Sequence, residues 1–130
     1  MGRNEVILAD THALVWWTTG ANELSRTAKL RMDSSVVCIA SMTCWEIAML
    51  VSRRRIAIDH AVDWFDKVLR LPDVVLLPLN MDVAATAAQF STTLRDPVDC
   101  LIVATAFHQG IPLVTKDGRI RAANLVQTIW

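Results

Sequence analysis

The stretch "TLRDPVDCLIVATAFHQGIPLVTKDG", residues 93–118, decides the fold class. Asp96-Pro97 gives a good helix cap followed by the residue best suited to the first helical position. Apolar side chains then recur at helical spacing until Gly110 stops the run. "IPLVT" (111–115) follows at once and reads as a short buried strand. Asp117-Gly118 then reads as a turn. A helix handed directly to an apolar strand is the unit of an α/β protein.

The same alternation runs through the rest of the chain. "VILA" (6–9) is a buried strand, followed by a helical "HALVWWTT" that stops at Gly20. Ser25 caps a helix over about 26–33, "VVCIA" (36–40) is a second strand, and a helix runs from about 42 to 54. Asp59 caps "HAVDWFDKVLRL", which Pro72 ends; "VVLLPL" (74–79) is a third strand and "MDVAATAAQF" a further helix. "IPLVT" is then the fourth strand and "VQTIW" a short fifth at the edge. Continuous apolar strands between helices predict a parallel sheet of four to five strands covered on both faces, a three-layer α/β/α sandwich. No repeat or linker divides the chain, so residues 1–130 are expected to form one domain.

Composition narrows the function. The chain is 53% apolar and 20% charged, with acidic and basic residues balanced at 13 each. At this length a folded chain buries roughly two-thirds of the surface its unfolded form exposes. Balanced charge excludes a general basic field, so any nucleic-acid contact must be local. The polar start, Met1-Gly2-Arg3-Asn4-Glu5, does not read as a signal, and no apolar run is long enough to span a membrane. Cys38, Cys44 and Cys100 lack CxxC spacing and sit in or beside apolar runs. They read as reduced cysteines of a cytoplasmic protein, which argues against zinc.

In open parallel sheets ligands collect at the carboxyl ends of the strands. Asp10 directly follows the first strand, Glu46 lies one turn into the helix after the second, Asp99 in the first turn of the helix before the fourth, and Asp117 just beyond the fourth. Each also has a purely structural use. Asp10 can cap a helix starting near His12, and Asp99 at the third helical position favours the positive end of the helix dipole. Thr43 and Glu46 match the capping box, and Asp117-Gly118 can be only a turn. Yet Asp99 shares a helix face with Ile102, Val103 and Ala106, and Glu46 with Met49 and Leu50, so both carboxylates belong to inward stripes. Two bare carboxylates about 5 Å apart repel by roughly 3 kcal/mol at an effective dielectric near 20. Carboxylates converging there require a cation or bound protons, and oxygen-only ligands suit Mg²⁺ or Mn²⁺.

"VILADTHALVWW", "IASMTCWEIAML", "RDPVDCLIVATAFHQG" and "IPLVTKDGRI", in this order, resemble the PIN-domain family, particularly the VapC-type ribonuclease toxins of toxin–antitoxin pairs. The likeness covers essentially the whole chain. It implies an α/β/α fold, Mg²⁺- or Mn²⁺-dependent endoribonuclease activity, a cognate antitoxin and homodimers. Carried over by position, the acidic site falls on Asp10, Glu46, Asp99 and Asp117, with Thr11, Ser41 and Thr115 in support. Asp96 then reads as the cap, adding outer negative charge. Relatives often carry arginine at the position of Cys100 and lysine at that of Leu50, departures expected to affect RNA or antitoxin contacts.

Several features lie outside that set. Lys116, Arg119 and Arg121 flank Asp117 and are placed to touch an RNA backbone. Arg53, Arg54 and Arg55 end a helix, where they meet its dipole or serve as a phosphate or antitoxin contact. Trp16 and Trp17 are adjacent, so one is expected inside and the other at an interface. His12, His60 and His108 do not cluster, and Met42 and Met49 read as core filler. Receiver and haloacid-type phosphotransfer domains also place aspartates at strand ends, but the latter require a second aspartate where this chain has His12. The former require one after the third strand, where it reads "LPLN". A non-catalytic protein- or RNA-binding module on the same scaffold is the remaining alternative.

Overall fold

The computed structural model describes residues 5–130; the reading of Met1 to Asn4 lies outside the described residues. The elements in chain order are β1 (Val6–Ala9), α1 (Thr11–Thr19), α2 (Arg26–Asp33), β2 (Val36–Ala40), α3 (Ser41–Ser52), α4 (Ala61–Leu69), β3 (Val74–Leu77), α5 (Met81–Phe90), α6 (Pro97–Gln109), β4 (Leu113–Val114), α7 (Gly118–Ala123) and β5 (Thr128–Ile129). The five strands form one sheet in the order β3-β2-β1-β4-β5, and every pairing is parallel.

Alternation along the strands separates two apolar layers. Ile7, Ala9, Val37, Ile39 and Val114 face one cluster, which takes in Leu14, Ala28, Ile47 and Phe65 from α1 to α4. Leu8, Cys38, Ala40 and Leu113 face the other, filled by Val83 and Ala87 of α5, Ile102, Val103 and Ala106 of α6, and Ile120 of α7. The central strands are buried on both sides from Ile7 to Ala9 and from Val37 to Ala40, hence their continuous runs, whereas the edge strand β3 leaves Val75 and Leu76 exposed. No helix among the described residues is long and apolar enough to cross a membrane.

The strand order reverses beside β1: the chain first builds β2 and β3 to one side, then β4 and β5 to the other. A crevice opens where successive crossovers diverge in this way, outside the carboxyl ends of β1 and β4. Asp10 and the segment Thr115–Asp117 therefore meet there.

Local boundaries depart from the sequence reading for identifiable reasons. The third strand ends at Leu77, before Pro78, and in the fourth only Leu113 and Val114 are strand, because Pro112 has no N–H to pair. The helix expected after Asp59 begins at Ala61 with His60 at its cap, one residue beyond that aspartate, and ends before Pro72 at Leu69. Beyond β2 no loop intervenes: α3 starts at Ser41 with Ala40 as its cap, so Thr43 is buried within the first turn and the expected capping box does not form. Asp117-Gly118 is more than a turn, since Asp117 caps α7.

Candidate active site

Each carboxylate reaches the crevice through a local device that fixes it. Asp10 leaves β1 and caps α1, its carboxylate accepting the Ala13 N–H at 2.8 Å. Thr115, fully buried at the end of β4, supplies a second hydrogen bond to Asp10, and its Oγ1 also accepts the Asp117 N–H at 3.1 Å. Asp117 in turn accepts the Arg119 and Ile120 N–H groups at 2.8 and 3.3 Å. Glu46 receives the hydroxyl of Thr11, whose Oγ1 also lies 3.5 Å from that of buried Thr43. On α6, Asp96 is the cap, taking the Val98 N–H at 2.8 Å. That frees Asp99 to sit on the inward face above Ile102 and Val103.

The result is a cleft of about 470 Å³ lined by Asp10, Thr11, His12, Trp16, Glu46, Asp96, Asp99, Ile102, Lys116, Asp117 and Arg119. A neighbouring hollow of about 350 Å³ shares Asp96, Asp99 and Arg119 with it and adds Arg95. Among the described residues, none of the five carboxylates of the cleft forms an ion pair with lysine or arginine. Their electrostatics follow. Burial, reinforced by the charges of Asp96, Asp117, Glu46 and Asp10, pushes the Asp99 carboxyl up to about 7. Burial also raises Asp10, against the opposing hydrogen bonds from Thr115 and Ala13. A cleft that makes ionisation this costly favours a cation.

Residues matched by the PIN domain family model run from 7 to 125. The chain belongs to the PIN domain family. It is similar to Ribonuclease VapC22 of Mycobacterium tuberculosis, at 32% identity over 129 residues, covering 95% of this chain and 98% of that protein. Among solved structures, M. tuberculosis VapC20, described as a sarcin-ricin loop cleaving toxin, superposes with a TM-score of 0.70 at 22% identity, covering 93% of this PIN domain and 97% of that chain. The VapBC2 structure from Rickettsia felis, bound to a promoter DNA fragment, gives a TM-score of 0.68 at 15% identity, covering 95% and 96% of the two chains.

Most of the sequence-derived set converges in this PIN domain. Asp10, Glu46, Asp99 and Asp117 line one cleft with Thr11, Asp96, Lys116 and Arg119, while Thr115 holds the Asp10 carboxylate and the backbone N–H of Asp117. Ser41 does not join them. Its hydroxyl donates to the Leu77 carbonyl at 2.7 Å, tying α3 to β3. Arg121 and the Arg53–Arg55 run are exposed and do not line the cleft. Cys100 is buried in the α5–α6 layer, its thiol directed at the Leu94 carbonyl at 3.2 Å. Neither Trp16 nor Trp17 is fully buried: both lie half-buried against the core, and Trp17 Nε1 donates to Asp33 at 2.8 Å. His12 and Trp16 are cleft residues that the sequence reading did not place there. Their i, i+4 spacing, directly after Asp10, was the available signal.

The donor set suits a hard divalent cation, because every acidic group offers oxygen and no thiol lines the cleft. The carboxylates do not form a closed cage: among the described residues no three His, Cys, Asp or Glu side chains are grouped tightly enough to hold an ion. Mg²⁺ does not demand one, since it retains several waters and takes only one or two carboxylates directly.

Proposed function

We propose that this PIN domain is a Mg²⁺- or Mn²⁺-dependent endoribonuclease, the toxin of a toxin–antitoxin pair. The observation that carries the reading is the cleft at the carboxyl ends of β1 and β4, where five carboxylates gather and, among the described residues, none is ion-paired with lysine or arginine. Full-length likeness to Ribonuclease VapC22 supports RNA as the substrate. Likeness to VapBC2 and to a toxin–antitoxin complex from Klebsiella pneumoniae, at a TM-score of 0.67, supports an antitoxin partner.

In this reading Asp10 and Asp99 are the central ligands, with Glu46 and Asp117 ligating directly or through water. A divalent ion bound there supplies Lewis acidity towards a phosphodiester and makes an attacking water more acidic. The chain's own residues prepare the site. Thr115 and the Ala13 N–H hold Asp10, Thr11 holds Glu46, and the first turn of α7 holds Asp117. Lys116 and Arg119 lie on the rim and draw the phosphodiester towards a cleft that would otherwise repel it. Asp99 would give up its proton to hold the cation, so that metal binding would release protons near neutral pH. Homodimerisation and a cytoplasmic setting, where RNA is at hand and thiols stay reduced, belong to the same proposal.

The test is cleavage of RNA by purified, partner-free protein in Mg²⁺, in Mn²⁺ and in excess EDTA. Cleavage is expected only with the metals, and undiminished cleavage in EDTA would contradict the reading.

A further inference from the structure

One wall of the cleft carries aromatic and basic side chains in place of carboxylates. His12 and Trp16, one turn apart on α1, have ring centroids 5.6 Å apart with planes inclined at 48°. Trp130, at the end of the chain, backs Trp16 with centroids 6.0 Å apart and planes at 59°. Lys116 brings its Nζ to 5.8 Å from the centroid of the Trp16 ring. His12, Trp16 and Lys116 line the same cleft as the carboxylates.

Core packing does not account for this arrangement. Trp16 is held from behind by Trp130 and the α1–α4 core but stops at the cleft. The group over its ring is the tip of Lys116, an exposed and flexible side chain. His12 is exposed beside it. A rigid indole braced from behind, with a movable ammonium over its ring, is what an unpaired nucleobase needs to stack on. The same ammonium then serves the adjoining phosphate.

We propose that Trp16, extended by His12, is the stacking platform for a base next to the scissile phosphodiester, with Lys116 on the intervening phosphate. This rests on the endoribonuclease reading and deepens it by assigning a subsite. A strand entering here crosses the carboxylates and leaves past Arg95 and Arg119, which line the adjoining hollow. Single-stranded rather than helical RNA is therefore the substrate form, because a paired base offers no free face.

The experiment measures fluorescence anisotropy of a short, labelled, mixed-sequence single-stranded RNA and of an abasic ribose-phosphate chain of equal length. Both are titrated in Mg²⁺ with Asp99→Asn protein, in which cleavage is expected to be suppressed. Stacking on a single aromatic platform predicts that the intact RNA binds at least about fivefold tighter than the abasic chain. Trp16→Leu, which keeps an apolar side chain against the core, should erase most of that ratio, while Trp16→Phe should keep most of it. His12→Ala, on an exposed side chain with little bearing on folding, should lower the ratio by a smaller factor. Lys116→Ala should weaken both ligands alike. Intact RNA that binds with the same advantage over the abasic chain in Trp16→Leu and His12→Ala would overturn the platform and leave the nuclease reading standing. Failure of both ligands to bind, together with no cleavage by the unsubstituted protein, would overturn the nuclease reading and the platform with it.

Discussion

The two ends of β1 place carboxylates in opposite circumstances. At the amino end Glu5 is gripped by Arg31, whose Nε and Nη2 donate to its two oxygens at 2.7 and 2.6 Å, and by the Ser35 hydroxyl at 3.1 Å. The guanidinium holds that carboxyl below its ordinary range. At the carboxyl end, five residues later, Asp10 and Asp99 line one cleft with three further carboxylates, none of them in an ion pair with lysine or arginine among the described residues, and burial pushes both carboxyls up. The same strand thus carries one charge that is matched within the chain and one that is not. A fold has no need of the second arrangement, which costs stability, and charge left unmatched in this way is a mark of functional sites.

The largest contrast between the two ends should be in activity. Asp10→Asn and Asp99→Asn are each expected to lower RNA cleavage by a factor on the order of 10²–10³, as loss of a group that stabilises developing charge typically does. Glu5→Gln should leave cleavage rates within about twofold, because its partners lie at the other end of the strand. Comparable losses from Glu5→Gln would erase the distinction. Next comes the response to metal. For a dissociation constant of about 1 mM, about 10 mM Mg²⁺ should stabilise the parent by about 1.4 kcal/mol, read as a rise in melting temperature. Glu5→Gln should keep that rise and Asp99→Asn should lose most of it.

Stability without metal should then separate the ends by sign. Glu5→Gln removes a bidentate but solvent-screened ion pair and should cost up to about 1 kcal/mol. Asp99→Asn relieves repulsion and should gain about 1 kcal/mol after solvent screening, a few degrees in midpoint. The pH dependences are also opposed. Because the folded-state value of Glu5 is lowered, its stabilisation is present above the ordinary glutamate range and lost as the pH falls through the folded value. Because that of Asp99 is raised from 3.8 to about 7, the folded state keeps a proton that the unfolded chain has lost. Its penalty is absent at the acid end of that interval and complete above it, so the metal-free parent should lose stability from about pH 4 to 7, and Asp99→Asn should flatten that loss. The smallest effect belongs to Asp96→Asn. Asparagine caps as well as aspartate, so its stability should stay within a few tenths of a kcal/mol and its Mg²⁺ response should persist.

How legible this was in the sequence varied with the range of the forces involved. The central strands could be read because burial on both faces demands unbroken apolar runs, and "VVCIA" has no polar position to misplace. The positions of Asp10 and Asp117 followed from strand ends, and that of Asp99 from its helical stripe. What escaped depended on contacts across elements. Ser41 looked available for the site until β3 offered it the Leu77 carbonyl, and the T-x-x-E pattern at Thr43 suggested a cap that the direct junction of β2 and α3 displaced. The short α7 was hidden because Gly118 in its first turn reads as a turn residue. Of Trp16 and Trp17 one was expected inside and the other at an interface, but only the return of the chain at Trp130 shows which side of Trp16 is braced and which side borders the cleft.

The measurement that bears most directly on the unmatched end of β1 is thermal melting of the parent and of Asp99→Asn, each in EDTA and in Mg²⁺. The expected result is an inversion: the variant melts above the parent in EDTA and at or below it in Mg²⁺, where the parent alone gains. A variant less stable than the parent in EDTA that still shows the full Mg²⁺ shift would contradict the account, and would make Asp99 a helix-capping residue with no part in a site.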